Sequence, residues 1–286
     1  MATLLDFRRR IRSVKSTQQV TRAMKFVSAA RLRKAQDKAI EARPYSAEIT
    51  KLVRSAAARM EEPHHGLLKR RPEQRVLLLL ATGDRGLAGA FNANAVRRAV
   101  EFMRGRPKDE KTEVIPIGRK GRDAARRLQW TVAGEYVGFT AKADFTRAKE
   151  IAARVVELYE SEKIDAVYLL FNEFKSVITQ KMVFEKLLPI EPEETAKDAV
   201  EVDYIYAQPP DKLLEGLLPR YVSARIYRML ADSSAAEHAA RMTAMDAATN
   251  NAGDLIESLT LEMNKIRQAA ITKEIIEVVS GASWSA

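Results

Sequence analysis

From Leu214 to Ala270 the sequence places an apolar or small residue at alternating steps of three and four. The series runs Leu214, Leu217, Tyr221, Ala224, Arg228, Ala231, Ala235, His238, Met242, Met245, Thr249, Ala252, Ile256, Leu259, Met263, Ile266, Ala270. Only Arg228 and His238 are out of place. A 3–4 alternation keeps one stripe of a helix turned toward a partner, as in a coiled-coil seam. No proline follows Pro219, and Gly281 stands where a residue ending the helix is expected. A helix from Pro219 to about Val279 is roughly 90 Å long at about 1.5 Å per residue, whereas an ordinary globular helix has about 11–12 residues. Such a helix has to pack on another long helix or on another chain.

The partner inside the chain lies at its other end. Residues 1–60 hold one proline, Pro44, and no glycine. Leu4, Phe7, Ile11 and Val14 begin a 3–4 seam, Thr17 and Thr21 interrupt it, and Met24 and Val27 resume it. This predicts a long helix bent near Pro44. The whole chain carries +10. Residues 1–60 contain 15 Lys/Arg and 4 acids, a balance of +11, whereas residues 211–286 contain 8 bases and 10 acids, a balance of −2. Single exposed pairs contribute only about 0.2–1 kcal/mol, but their sum favours joining these two segments over pairing two basic helices. The many Ala and Thr residues in the seam allow close approach and bury less than a Leu/Ile zipper.

Between the ends, roughly 74–207, strand and helix signals alternate. Strands are expected at 75–81, 113–117, 130–136, 165–171, 177–184 and 201–206, and helices at 93–104, 119–129 and 145–161. That order predicts a mostly parallel α/β sheet. Residues 61–73 and 185–200 read as loops from their proline and charge content. The stretch RVLLLLATGDRGLAGAFNAN, Arg75–Asn94, combines a strand, a glycine loop and a helix start, an arrangement that can hold a phosphate. Its spacing is G-x-x-G-x-x-G at Gly83, Gly86 and Gly89, which is neither the dinucleotide nor the P-loop pattern. The second strand ends without the acid that would hold a ribose. Arg119, Lys120 and Arg122 leave an NADP reading open, as an alternative to a loop that only lets strand and helix pack.

Other chemistry is scarce. The chain has no cysteine and three histidines. His64 and His65 read as solvated loop residues rather than metal ligands. No apolar run approaches the roughly 20 residues of a membrane span, and the basic N-terminus lacks the apolar core of a secretory signal. The basic first segment seeks a negative partner, whether nucleic acid, a membrane surface or an acidic protein. It has only Phe7, Phe26 and Tyr45 as aromatics and no groove-reading motif, so nucleic acid is an alternative with little behind it.

Four segments carry a resemblance. IRSVKSTQQVTRAMKFVSAARLRKAQ (11–36), TGDRGLAGAFN (82–92), AARMTAMDAATNNAGDLI (239–256) and NKIRQAAITKEIIEVVSGA (264–282) closely resemble the gamma subunits of rotary F-type ATP synthases. The specific elements are Thr21, Ala23 and Met24, and the run Ile271, Thr272, Glu274, Glu277, Ser280, Gly281, Ala282. The resemblance implies an antiparallel two-helix coiled coil built from the two termini (1–60 and 211–286), plus a Rossmann-like α/β domain (74–207). It implies a rotor shaft, one copy per complex, with no catalytic residue, cofactor or small-molecule substrate of its own and no nucleic acid. Its partners would be the alpha and beta subunits of the catalytic ring, the epsilon subunit and the c-ring. Resemblance puts Met24 and Lys25 against an acidic loop of beta, within a basic collar that includes Arg9, Arg10, Arg12, Lys15, Arg22 and Arg33. It puts Arg267, Gln268, Thr272, Glu274 and Glu277 at the loops that grip the upper shaft, with Arg241 on the same functional helix. Tyr204 and Tyr206 would face the c-ring. No charged side chain occurs from Val278 to Ala286, as expected of a tip turning in an apolar sleeve; Trp284 departs from the family. The cysteine-bearing insertion of chloroplast relatives is missing. With no transit segment before the family's start, the expected location is peripheral, on the cytoplasmic face of a bacterial membrane.

Overall fold

A computed structural model describes residues 3–58, 65–107, 110–191 and 210–284. The first element is a single helix, α1 (Leu4–Ala58), which continues through Pro44. The last is α5 (Pro210–Trp284). Between them come β1 (Arg75–Ala81), α2 (Phe91–Arg104), β2 (Lys111–Ile117), α3 (Arg119–Arg127), β3 (Thr131–Val132), α4 (Phe145–Glu160), β4 (Ala166–Phe174) and β5 (Gln180–Leu188). The chain divides into two compact units, Met1–Val27 with Met242–Ala286, and Ser28–Arg241. The divide falls inside both long helices, so neither unit coincides with a stretch of the sequence pattern.

The larger unit contains one sheet of order β3-β2-β1-β4-β5. β1 lies parallel to β2 and β4, β2 lies parallel to β3, and β5 closes one edge antiparallel to β4. Val76, Leu77, Leu78, Leu79 and Leu80 are all fully buried. This unbroken apolar run suits a central parallel strand, which is covered on both faces. Leu78 and Leu80 pack with Val114, Leu170 and the Ala95 and Ala99 face of α2. At the β4–β5 edge, Glu73 accepts from Tyr168 at 2.9 Å and pairs with Arg106 and Lys186, each at 2.8 Å. Burial alone would raise its carboxyl, but the bonds from Lys186, Arg106 and Tyr168 hold it down at about 2.

In this unit α1 buries Leu32, Ala35, Ala39, Ala42, Ser46, Ile49, Val53 and Ala56, a strict 3–4 series. Arg54 lies near Tyr221, Arg43 pairs with Asp232 at 2.6 Å, and Arg31 lies near His238. One helix therefore ascends as the other descends. The smaller unit repeats the antiparallel arrangement. There Gln18 Nε2 donates to the Thr249 carbonyl at 3.3 Å, Thr21 and Thr249 hydroxyls meet at 2.8 Å, and Lys25 pairs with Asp246 at 2.5 Å.

Several expected boundaries shift. The strand expected at 130–136 is reduced to two residues and an isolated bridge between Ile117 and Tyr136. β5 starts at Gln180 because the Lys175 and Ser176 amides turn back onto the Thr179 carbonyl. It then runs through 185–188, which the charges of Glu185 and Lys186 had marked as loop; those charges are paired with Arg225 and Glu73. Within the expected 61–73 loop, a 3-10 turn at Gly66–Leu68 buries Leu67 and Leu68, and His65 caps it by accepting from the Leu67 amide. Gly281 does not end α5, which continues to Trp284. The segment 201–206, with Tyr204 and Tyr206, and also His64, lie outside the described residues.

Candidate functional site

The glycine loop sits at the carboxyl end of β1, where ligands of open α/β sheets bind. Its acid, Asp84, is turned inward. One carboxylate oxygen accepts from the Arg119 amide at 3.1 Å and the Gly138 amide at 2.8 Å; the other accepts from the Thr140 amide at 3.0 Å and its hydroxyl at 2.9 Å. These are the kind of donors that would cradle a phosphate at the start of α3, and the protein's own carboxylate has taken them. Burial would raise the Asp84 carboxyl, but the Gly138, Thr140 and Arg119 donors outweigh it and hold it below the usual range.

The crevice is then closed by α5. A side chain on Gly83 would press on the Glu237 carboxylate, so glycine there lets the carboxylate approach the loop this closely. Glu237 is 2% exposed, and Arg241 at 7% pairs with it at 2.5 Å and donates to the Gly86 carbonyl at 3.3 Å. Burial raises the Glu237 carboxyl despite Arg241. Next to them His238, 1% exposed, is pushed down to about 4, first by burial. Of the groups that would favour NADP, the Arg119 amide serves Asp84 and the Arg122 side chain pairs with Asp123 at 2.9 Å. Among the described residues no group of His, Cys, Asp or Glu could hold a metal ion. Arg241, expected to contact another subunit, is thus placed inside the larger unit, clamped to Glu237 and the loop. Arg228, out of place in the seam, reaches Glu173 at 3.1 Å and Asp232 at 3.5 Å.

In the smaller unit the polar residues stay in register. Thr21 is buried and Gln18, Met24 and Lys25 are half-buried, while Thr17 and Val27 are exposed, Val27 at 51%. The seam therefore keeps Met24 but leaves out Thr17 and Val27. It continues through Gln18, Thr21 and Lys25 because each of these finds a polar partner on α5. Sequence reasoning missed Asp246 as the partner of Lys25; the signal was the unbroken step from Phe7, Ile11 and Val14 to positions 18, 21 and 25.

The far end of α5 is different. Every residue from Ile271 to Ser280 is exposed, with Ile271 48%, Ile275 57%, Ile276 59%, Val278 72% and Val279 63%. Arg267, Gln268, Thr272, Glu274 and Glu277 are all exposed here, and only Glu277 has an ion pair, with Lys273 at 3.5 Å. No helix among the described residues is long and apolar enough to cross a membrane. This is a water-facing helix whose apolar side chains have no cover among the described residues.

Comparison with known proteins accounts for that combination. The family model described as ATP synthase matches residues 3–283. A chain named ATP synthase gamma chain from Solibacter usitatus is 51% identical over 287 residues, 99% of each chain. One of the same name from Pelotomaculum thermopropionicum is 46% identical, again over 99% of each. A chain from the mitochondrial ATP synthase of Euglena gracilis (OSCP/F1/c-ring) superposes with a TM-score of 0.68, covering 98% of this chain and 93% of that one at 19% identity. One from the central stalk/c-ring of the Tetrahymena thermophila enzyme gives 0.61 at 22% identity, over 80% and 99%. These last two are likenesses of fold. The match along nearly the full length, to relatives of this identity, means that the chain belongs to the ATP synthase gamma chain family.

Proposed function

We propose that the chain is the central shaft of an ATP synthase, that its two long helices enter a ring of alternating alpha and beta subunits, and that the exposed end of α5 is its bearing. The observation that carries this is the Ile271–Ser280 segment, in which all ten residues are exposed and half are Ile or Val. A helix apolar on its water-facing sides is built for the interior of something else. The chain is a non-catalytic subunit of the synthase, and its contribution is mechanical. An asymmetric shaft presents a different face to each catalytic site as it turns, and only such differential interaction shifts conformational equilibria.

In this reading Arg267, Gln268, Thr272, Glu274 and Glu277 meet the loops that grip the upper shaft, since they are exposed and nearly free of internal partners. Met24 and Lys25 face an acidic loop of beta. Lys25 already has Asp246 at 2.5 Å, so beta would compete with an internal carboxylate. Arg241 is assigned to closing the glycine loop rather than to a subunit contact. The larger unit faces the epsilon subunit and the c-ring, with Tyr204 and Tyr206 on the c-ring side, and the chain is peripheral on the cytoplasmic face of the membrane. Co-expression with alpha and beta subunits tests the reading: purification should yield a complex with one copy of this chain. A chain that purifies alone while alpha and beta assemble without it would overturn it.

A further inference from the structure

Beside the closed crevice, within the larger unit, lies a separate cavity of about 500 Å³. Arg31, Lys34 and Lys38 of α1, Arg85 of the glycine loop and Lys142 of the loop before α4 line it, together with Ser234 of α5. None of its lining residues is acidic. Lys38 donates to the Ala143 carbonyl at 2.9 Å, and among the described residues none of the five cations meets a carboxylate within ion-pair distance. All five are exposed at the cavity rim, so their charge faces the opening rather than an acid of the chain. Independently, the Ser234 hydroxyl is 2% exposed and has no hydrogen-bond partner. A buried hydroxyl without a partner in a pocket wall needs an acceptor or donor from outside the chain.

We infer that this cavity binds a small polyphosphate anion of the pyrophosphate class, with the cations around its charge and Ser234 at its inner end. The size falls in the range of ordinary small-ligand sites, about 300–1,000 Å³. Arginine and lysine together suit phosphate oxygens, Arg by its fork of donors and Lys as a point charge. The anion does not enter the crevice, where Asp84 occupies the backbone donors. An acidic polypeptide is the competing occupant; the isolated hydroxyl deep in the wall favours a ligand small enough to reach it.

The test uses the full-length chain titrated with magnesium-free pyrophosphate by calorimetry at fixed ionic strength. Saturable binding is expected. Arg31→Gln with Lys34→Gln should weaken it tenfold or more, because charge-assisted hydrogen bonds are lost. Ser234→Ala should weaken it about threefold without changing the charge. Arg97→Gln with Arg127→Gln, equally basic but elsewhere on the surface, should leave it unchanged. Absence of saturable binding, or equal weakening by both double variants, would show diffuse attraction and overturn the site. A Glu-rich peptide that binds where pyrophosphate does not would assign the patch to a protein and equally overturn it. Circular dichroism of each variant keeps loss of fold separate from loss of binding, and Arg31 and Lys34 are exposed, so their replacement leaves a folded chain to measure.

Discussion

Two segments of the same helix, α5, invert the usual arrangement of a globular protein. From Tyr221 to Ala239 no residue is exposed, yet the segment holds Arg225, Arg228, Asp232, Glu237 and His238. From Ile271 to Ser280 every residue is exposed, yet the segment holds three Ile and two Val. In the first, charges are tolerated inside because nearly each meets an opposite charge: Arg225 meets Glu185, Arg228 meets Glu173, and Asp232 meets Arg43. In the second, apolar groups remain in water because nothing among the described residues lies over them. The charges of the first segment are met by other elements of the larger unit; the apolar groups of the second meet no such cover among the described residues.

The comparison is most open to attack at Arg241. Arg241→Ala would leave Glu237 buried without its cation, and removing one member of a buried pair costs about 3–5 kcal/mol. Chemical unfolding of variant and parent should show that loss at neutral pH. Burial raises the folded-state carboxyl of Glu237, and without Arg241 it rises further. A folded state that binds the proton more tightly than the unfolded state is stabilised by acid. The deficit of the variant against the parent should therefore shrink as pH falls toward the ordinary Glu value. A deficit independent of pH would mean that the clamp holds by packing alone.

His238 gives the next largest effect, with the opposite sign. Its folded value of about 4 lies below the ordinary 6.5, so the folded state binds the proton less tightly than the unfolded state. Stability contributed by the neutral ring is present above pH 6.5 and is lost as pH falls toward 4, on the order of 3 kcal/mol. His238→Gln should flatten that limb of the stability curve. An unchanged slope would show that the ring accepts its proton in the folded state.

At the exposed end the same kind of change should leave stability alone and alter function. Arg267→Ala with Gln268→Ala touches exposed helix positions, where Ala is well tolerated. Unfolding should shift by no more than about 0.5 kcal/mol, while steady-state ATP turnover of the assembled complex falls roughly tenfold, about 1.4 kcal/mol of lost coupling. Full turnover with normal assembly would put the grip elsewhere on the shaft. The smallest effect belongs to the half-exposed Lys25–Asp246 pair. Asp246→Ala should cost about 0.2–1 kcal/mol, less in high salt, and a larger, salt-independent loss would make that pair part of the buried class.

Much of this was legible in the residues. The inward positions of α5 follow the 3–4 series from Leu214 to Ala270, and β1 occupies the run at 75–81, because helix bonds and the burial of a central strand are decided by neighbours in sequence. The places where the reading slipped are those where a distant group changes the outcome. Val27 reads as a seam residue and Lys25 does not, until Asp246 is seen opposite. Glu185 and Lys186 read as loop until Arg225 and Glu73 pair with them. Arg241 reads only as part of the gripping helix, and its bonds to Glu237 and the Gly86 carbonyl appear only in the fold.

The sequence by itself determined two long helices at the ends, a parallel sheet between them, the charge contrast that joins the ends, and the family. Only the tertiary structure decided that the glycine loop is closed. That closure brings together Asp84, Arg119, Thr140 and Glu237, residues far apart in sequence whose hydrogen bonds exist only when four segments converge. A local pattern can offer backbone donors to a phosphate; whether a phosphate or a carboxylate of the chain receives them depends on where the rest of the chain is packed.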